Sequence, residues 1–101
     1  MKPRSTERSG SNGRAIRCVV AGRVQGVYYR AAVAERAGAL ALHGWVRNLP
    51  DGRVETVAAG PMEALTEFAA WLWQGPPAAR VDSVQVEEWS DSVPDGFDVQ
   101  R

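Results

Sequence analysis

An α+β domain built in the order β-α-β-β-α-β is what this chain of 101 residues predicts. Three observations lead there. Residues 29–40 and 61–74 space their apolar side chains for one helix face, β-branched runs precede, separate and follow them, and a Pro-Asp-Gly turn joins two of those runs. The order is that of the ferredoxin-like sandwich, in which a four-stranded antiparallel sheet carries both helices on one face.

The elements follow in turn. Lys2, Arg4, Arg8 and Arg14 stand against Glu7 in a Ser- and Gly-rich opening with no apolar periodicity. Such a segment buries too little surface to offset its ordering entropy, so residues 1–14 are expected to be a disordered basic leader and 15–101 the domain. Ile16–Gly22, IRCVVAG, is β-branched and ends in Gly, as a strand would. Tyr29, Val33, Ala37 and Leu40 define the buried side of a first helix. His43–Leu49 and Arg53–Ala59 form a hairpin around residues 49–52, LPDG. Pro61 suits the first turn of a second helix, along which Met62, Leu65, Phe68 and Leu72 recur until Gly75-Pro76-Pro77 breaks it. Val81, Val84, Val86 and Trp89 lie in a fourth strand, and Phe97–Gln100 has room to add an edge strand.

Charge and composition exclude several function classes. Basic and acidic residues balance over the chain at twelve each, but the leader holds four basic and one acidic, which leaves the domain at net −3. An acidic body argues against binding a nucleic-acid backbone, which draws on Lys and Arg. No stretch reaches the roughly 18 apolar residues of a membrane span. Cys18 is the only cysteine, so no internal disulfide forms and a reducing cytoplasm is the simplest location. A lone histidine, His43, provides no cluster for zinc. Glu87, Glu88, Asp91, Asp95 and Asp98 lack calcium-loop spacing and read as a solvated face. Neither a metal nor a cofactor is expected.

Residues 22–30, GRVQGVYYR, hold the first candidate site. Gly22 and Gly26 let the backbone curl, and N–H groups from Gln25, Gly26, Val27, Tyr28 and Tyr29 at a helix N-terminus would make an anion nest. Arg30 adds a guanidinium fork matched to a tetrahedral oxyanion. Taken alone, such a loop is ordinary, because an Arg in a first helical turn is commonly a solvated surface residue. A second segment changes the balance: GWVRN, residues 44–48, enters the LPDG turn one helix later.

Together GRVQGVYYR and GWVRN resemble the two signature motifs of the acylphosphatase family, and the likeness continues through PDG, GPMEALTEFAAWL and GPPAARVDSV over roughly residues 15–101. The resemblance implies hydrolysis of the carboxyl-phosphate bond of small acyl phosphates, with Arg30 as the phosphate ligand and Asn48 as the residue that positions water. An acyl phosphate is already activated, so positioning and charge stabilisation suffice, and the proton of the water passes to a phosphoryl oxygen. Inorganic phosphate or sulfate should compete for the same cradle, and the protein is expected to act as a monomer without a metal. Tyr29, Val33 and Leu49 stand where many members have Phe, a hydroxyl residue and Thr, which bears on rate through neighbouring hydrogen bonds. The sequence leaves two other classes open. A regulatory anion-binding module would not need Asn48, and an RNA-binding sheet would need aromatic residues on its first strand, which IRCVVAG lacks.

Overall fold

A computed structural model of the protein describes residues 13–101. Five strands and two helices follow one another: β1 Gly13–Arg23, α1 Tyr29–Ala39, β2 His43–Asn48, β3 Val54–Pro61, α2 Met62–Gln74, β4 Arg80–Glu88 and β5 Phe97–Val99. The sheet order is β4-β1-β3-β2-β5. β1 lies between β3 and β4 and is antiparallel to both, with Cys18 opposite Thr56 on one side and Val86 on the other. β3 also pairs antiparallel with β2. β1 and β2 therefore point the same way with β3 between them, the split β-α-β arrangement.

The sheet differs from the expected four antiparallel strands. It has five and is mixed, because β5 runs parallel to β2, with Val46 opposite Val99. The Phe97 ring meets Phe68 of α2 edge-on at 6.2 Å, which draws the tail against the β2 edge. The Gly44 N–H donates to the Gly96 carbonyl at 2.9 Å and the Gln100 N–H to the Val46 carbonyl at 2.8 Å. The first strand also starts earlier than the expected Ile16. Gly13 and Arg14, which composition places at the end of the leader, pair with Pro61 and Gly60. The rest of the expected leader, residues 1–12, lies outside the described residues.

Both helices cover one face. Tyr29, Val33 and Ala37 of α1 and Leu65, Phe68 and Leu72 of α2 close over Cys18, Val20, Val46, Val54 and Ala58 of the sheet. Two residues of the expected stripes behave differently: Leu40, the C-cap of α1, is only partly buried, and Met62, the first residue of α2, is 47% exposed. Trp71 packs against the core while Trp73, on the other side of α2, is exposed.

The opposite face is charged. Glu55 is almost fully buried there, with Arg47 Nε donating to its Oε1 at 2.7 Å and Arg17 Nε donating to its Oε2. Arg17 also reaches Glu87 at 3.2 Å, and Arg14 reaches Glu88 at 3.2 Å. Trp45 and Trp89 meet edge-on at 6.1 Å, with the Arg47 guanidinium 5.1 Å from the Trp45 ring centre.

Candidate active site

The topology brings the two sequence segments together. Val54 of β3 pairs with Val20 of β1 on one side and Asn48 of β2 on the other, so the loop leaving β1 and the last residue of β2 share one end of the sheet. Val46 points into the helix layer, and Asn48, two residues on, faces the same way. β5 ends beside them at Val99.

In the loop, Gly26 has φ 75° and Tyr28 φ 69°, whereas Val27 between them has ordinary negative φ. Alternating hand turns successive N–H groups to one side, as in an anion nest. The left-handed backbone at Tyr28 costs roughly 1–2 kcal/mol for a residue with a Cβ. Tyr28 caps α1 without a side-chain hydrogen bond, and the first turn carries no acidic side chain. Its leading N–H groups have no intrahelical acceptor, and the positive end of the helix dipole is not neutralised locally.

A cleft of ≈ 240 Å³ opens at this point, lined by Val24, Gly26, Tyr28, Tyr29, Arg30, Ala31, Asn48 and Val99. Arg30 and Asn48 thus meet in one cavity. Arg30 Nη1 donates to the Gln100 carbonyl at 2.6 Å, which steadies the guanidinium while leaving further donors of its fork. None of the ion pairs among the described residues involves Arg30. Asn48 Oδ1 is buried without a hydrogen-bond partner among the described residues. A buried acceptor left in that state costs about 1–3 kcal/mol unless something donates to it.

Two of the expected loop residues stand outside the cleft lining. Gln25 turns its side chain to the β2–β3 turn, where Nε2 donates to the Leu49 carbonyl at 2.9 Å and the Arg53 carbonyl at 3.0 Å. Val27 packs against the core. Val24, Ala31 and Val99 line the cleft without having been singled out. For Val99 a signal exists in its period-two relation to Phe97, which places both on the helix side of the tail strand.

The motif departures have local explanations. Tyr29 is 1% exposed and its hydroxyl donates to the Leu72 carbonyl at 2.7 Å, so the added oxygen has its partner; burial pushes its pKa up. Val33 is fully enclosed by apolar side chains. Leu49 serves through its backbone, its N–H donating to the Arg53 carbonyl at 2.8 Å while its own carbonyl receives Gln25.

Residues 16–99 match the family model described as Acylphosphatase. The chain belongs to the acylphosphatase family. An acylphosphatase of Halorhodospira halophila is 52% identical over 83 residues, covering 82% of this chain and 90% of its own. One of Nitrosococcus oceani is 54% identical over 72 residues, covering 71% and 81%. The solved structure of an acylphosphatase from Coxiella burnetii aligns with TM-score 0.86 at 41% identity, covering 90% of this chain and 96% of that one. Membership is in a family of enzymes that hydrolyse acyl phosphates.

Other reactive groups of this acylphosphatase fold are occupied elsewhere. A larger cleft of ≈ 500 Å³ lies at the other end of β2, among Gly13–Ala15, His43, Ala59, Gly60 and Glu88–Ser90. Size is a poor guide here: its Arg14 is paired with Glu88 and its His43 Nδ1 accepts the Gly96 N–H at 2.8 Å. The smaller cleft has the unengaged donors and the orphaned acceptor, and it is the better candidate. Burial pushes the Cys18 thiol up to about 12, against a small opposing effect of Arg17, so it is unreactive at neutral pH. Among the described residues no three His, Cys, Asp or Glu side chains gather as metal ligands, and no helix is long and apolar enough to cross a membrane.

Proposed function

We propose that this protein cleaves the carboxyl-phosphate bond of small acyl phosphates in the cleft between α1 and the end of β2, with Arg30 and Asn48 as its catalytic side chains. The observation that carries the reading is the buried, unpartnered Asn48 Oδ1 opening on the same cleft as Arg30. A water that donates one proton to that oxygen keeps its lone pairs for attack on phosphorus.

The phosphoryl oxygens take N–H groups of the loop from Gln25 to Tyr29 and the Arg30 fork, at the positive end of α1. Water attacks in line, the bond from phosphorus to the acyl oxygen breaks, and the carboxylate leaves with its electron pair, needing no general acid. Negative charge on the equatorial oxygens is held by Arg30 through the transition state. An amide does not accept the proton near neutral pH, so it passes to a phosphoryl oxygen of the substrate. Orthophosphate and carboxylate are the products.

Arg30 supplies the charge that a divalent cation supplies in other phosphoryl-transfer sites, so the reaction is metal-independent. Inorganic phosphate or sulfate competes with substrate, and the protein acts as a cytoplasmic monomer, without nucleic acid. The test is hydrolysis of benzoyl phosphate with excess chelator and with added inorganic phosphate. Undiminished turnover and competitive inhibition are expected. Activity lost to chelation and restored by magnesium, or purely noncompetitive inhibition, would overturn the scheme.

A further inference from the structure

Two large apolar side chains stand in solvent at the mouth of the cleft that holds Arg30 and Asn48. Tyr28 is 64% exposed and Val99 47% exposed, and both line it. Single exposed apolar residues need no explanation, but convergence of two on one polar cleft does. Val99 shares the helix side of the sheet with Val46 through their parallel register. It stays uncovered because β5 is the outermost strand. Tyr28 is held outward by its left-handed backbone, and its hydroxyl lies 3.3 Å from Glu35 Oε2.

We infer that Tyr28 and Val99 form the subsite for the acyl group. This rests on the reading of the cleft as a phosphoryl site: with the phosphoryl end on the loop and Arg30, the acyl substituent emerges toward solvent, where these two are the large apolar side chains of the lining that stand exposed. The subsite favours neutral acyl groups with a flat or branched hydrocarbon body. Acetyl offers little surface to it, and an acyl chain ending in its own carboxylate meets Glu35 beside the Tyr28 ring.

The experiment compares kcat/KM for benzoyl phosphate and acetyl phosphate in the full chain. Tyr28→Asn removes the ring while suiting a left-handed backbone, and Val99→Thr keeps the β-branched shape on the strand. The benzoyl-to-acetyl ratio is expected to fall about tenfold in Tyr28→Asn, equivalent to ~1.4 kcal/mol, and about threefold in Val99→Thr. Val99→Thr should leave inhibition by inorganic phosphate unchanged, and Val99→Lys should raise kcat/KM for succinyl phosphate relative to acetyl phosphate. An unchanged ratio in both Tyr28→Asn and Val99→Thr, with both substrates still turned over, refutes the subsite alone. Wild-type protein that hydrolyses neither substrate refutes the underlying phosphoryl-site reading, and the subsite with it.

Discussion

Gln25 clasps Leu49: its side-chain Nε2 donates to the Leu49 carbonyl at 2.9 Å, and the same nitrogen donates to Arg53 at 3.0 Å. Leu49 follows Asn48 directly, so the amide of Gln25 sets how far Asn48 stands from the loop that precedes α1. A displacement of about 1 Å at a reacting geometry can cost ~100-fold in rate. Gln25→Ala is therefore expected to lower kcat by about tenfold or more while changing KM less than threefold, in protein that remains folded by circular dichroism. Steady-state kinetics on benzoyl phosphate decide it, and a normal kcat would mean the clasp does not position Asn48.

Acid should unfasten the charged face. Burial pushes the Glu55 carboxyl up, but the hydrogen bonds and charges of Arg17 and Arg47 outweigh it and hold the group below the ordinary carboxylate range. A carboxylate with a lowered folded pKa adds stability above its unfolded pKa, about 4.3, and loses it as pH falls through the folded value. Hydrogen bonds to charged groups, discounted for the partial exposure of both arginines, suggest about 2 kcal/mol. Glu55→Gln should melt several degrees lower than wild type at pH 7, and the gap should close toward pH 2. A gap independent of pH would show that the ionised form is not what matters.

Gly44, which opens GWVRN, has a packing reason for being glycine. Its φ is 145°, and a Cβ there would sit 1.9 Å from the Val57 carbonyl oxygen on β3. Neither backbone can yield without breaking the β2–β3 ladder. Gly44→Ala is expected to cost about 2–4 kcal/mol, lowering Tm by about 10 °C or more. A thermal melt within about 3 °C of wild type would contradict the clash.

Much of this was legible because local periodicity and tertiary burial agree. Tyr29, Val33 and Ala37, and likewise Leu65, Phe68 and Leu72, are spaced for a helix and are the residues the sheet buries. Arg30 and Asn48 could be paired because GRVQGVYYR and GWVRN together resemble one family's motifs, and the split β-α-β order puts the ends of β1 and β2 at the same end of the sheet with β3 between them. What the sequence hides is direction and long-range partners. Nothing local says that β5, three residues long and joined by an irregular segment, lies parallel to β2. The bond from Arg30 to the Gln100 carbonyl joins residues seventy positions apart. Gln25 has the same spelling whether its backbone faces an anion or its side chain faces a turn. Only the turn carbonyls of Leu49 and Arg53, brought near by the hairpin, decide the side chain's direction.

The sharpest test separates Arg30 from Asn48 by kinetic signature. In the proposed scheme Arg30 touches the phosphate both before and during reaction, so Arg30→Ala should raise KM and lower kcat together. It also abandons the Gln100 carbonyl, so its melting temperature must be measured beside its rate. Asn48 touches only the water. Asn48→Ala should leave KM close to wild type and lower kcat by an amount equivalent to about 2–4 kcal/mol, the usual cost of deleting one preorganised polar group. Stability should move the other way, because the substitution removes a buried acceptor with no partner among the described residues. Slower and no less stable is a combination that a merely structural asparagine would not produce. Folded Asn48→Ala with normal kcat would reduce GWVRN to a packed strand, and folded Arg30→Ala with normal KM and kcat would move the phosphate site out of the GRVQGVYYR loop altogether.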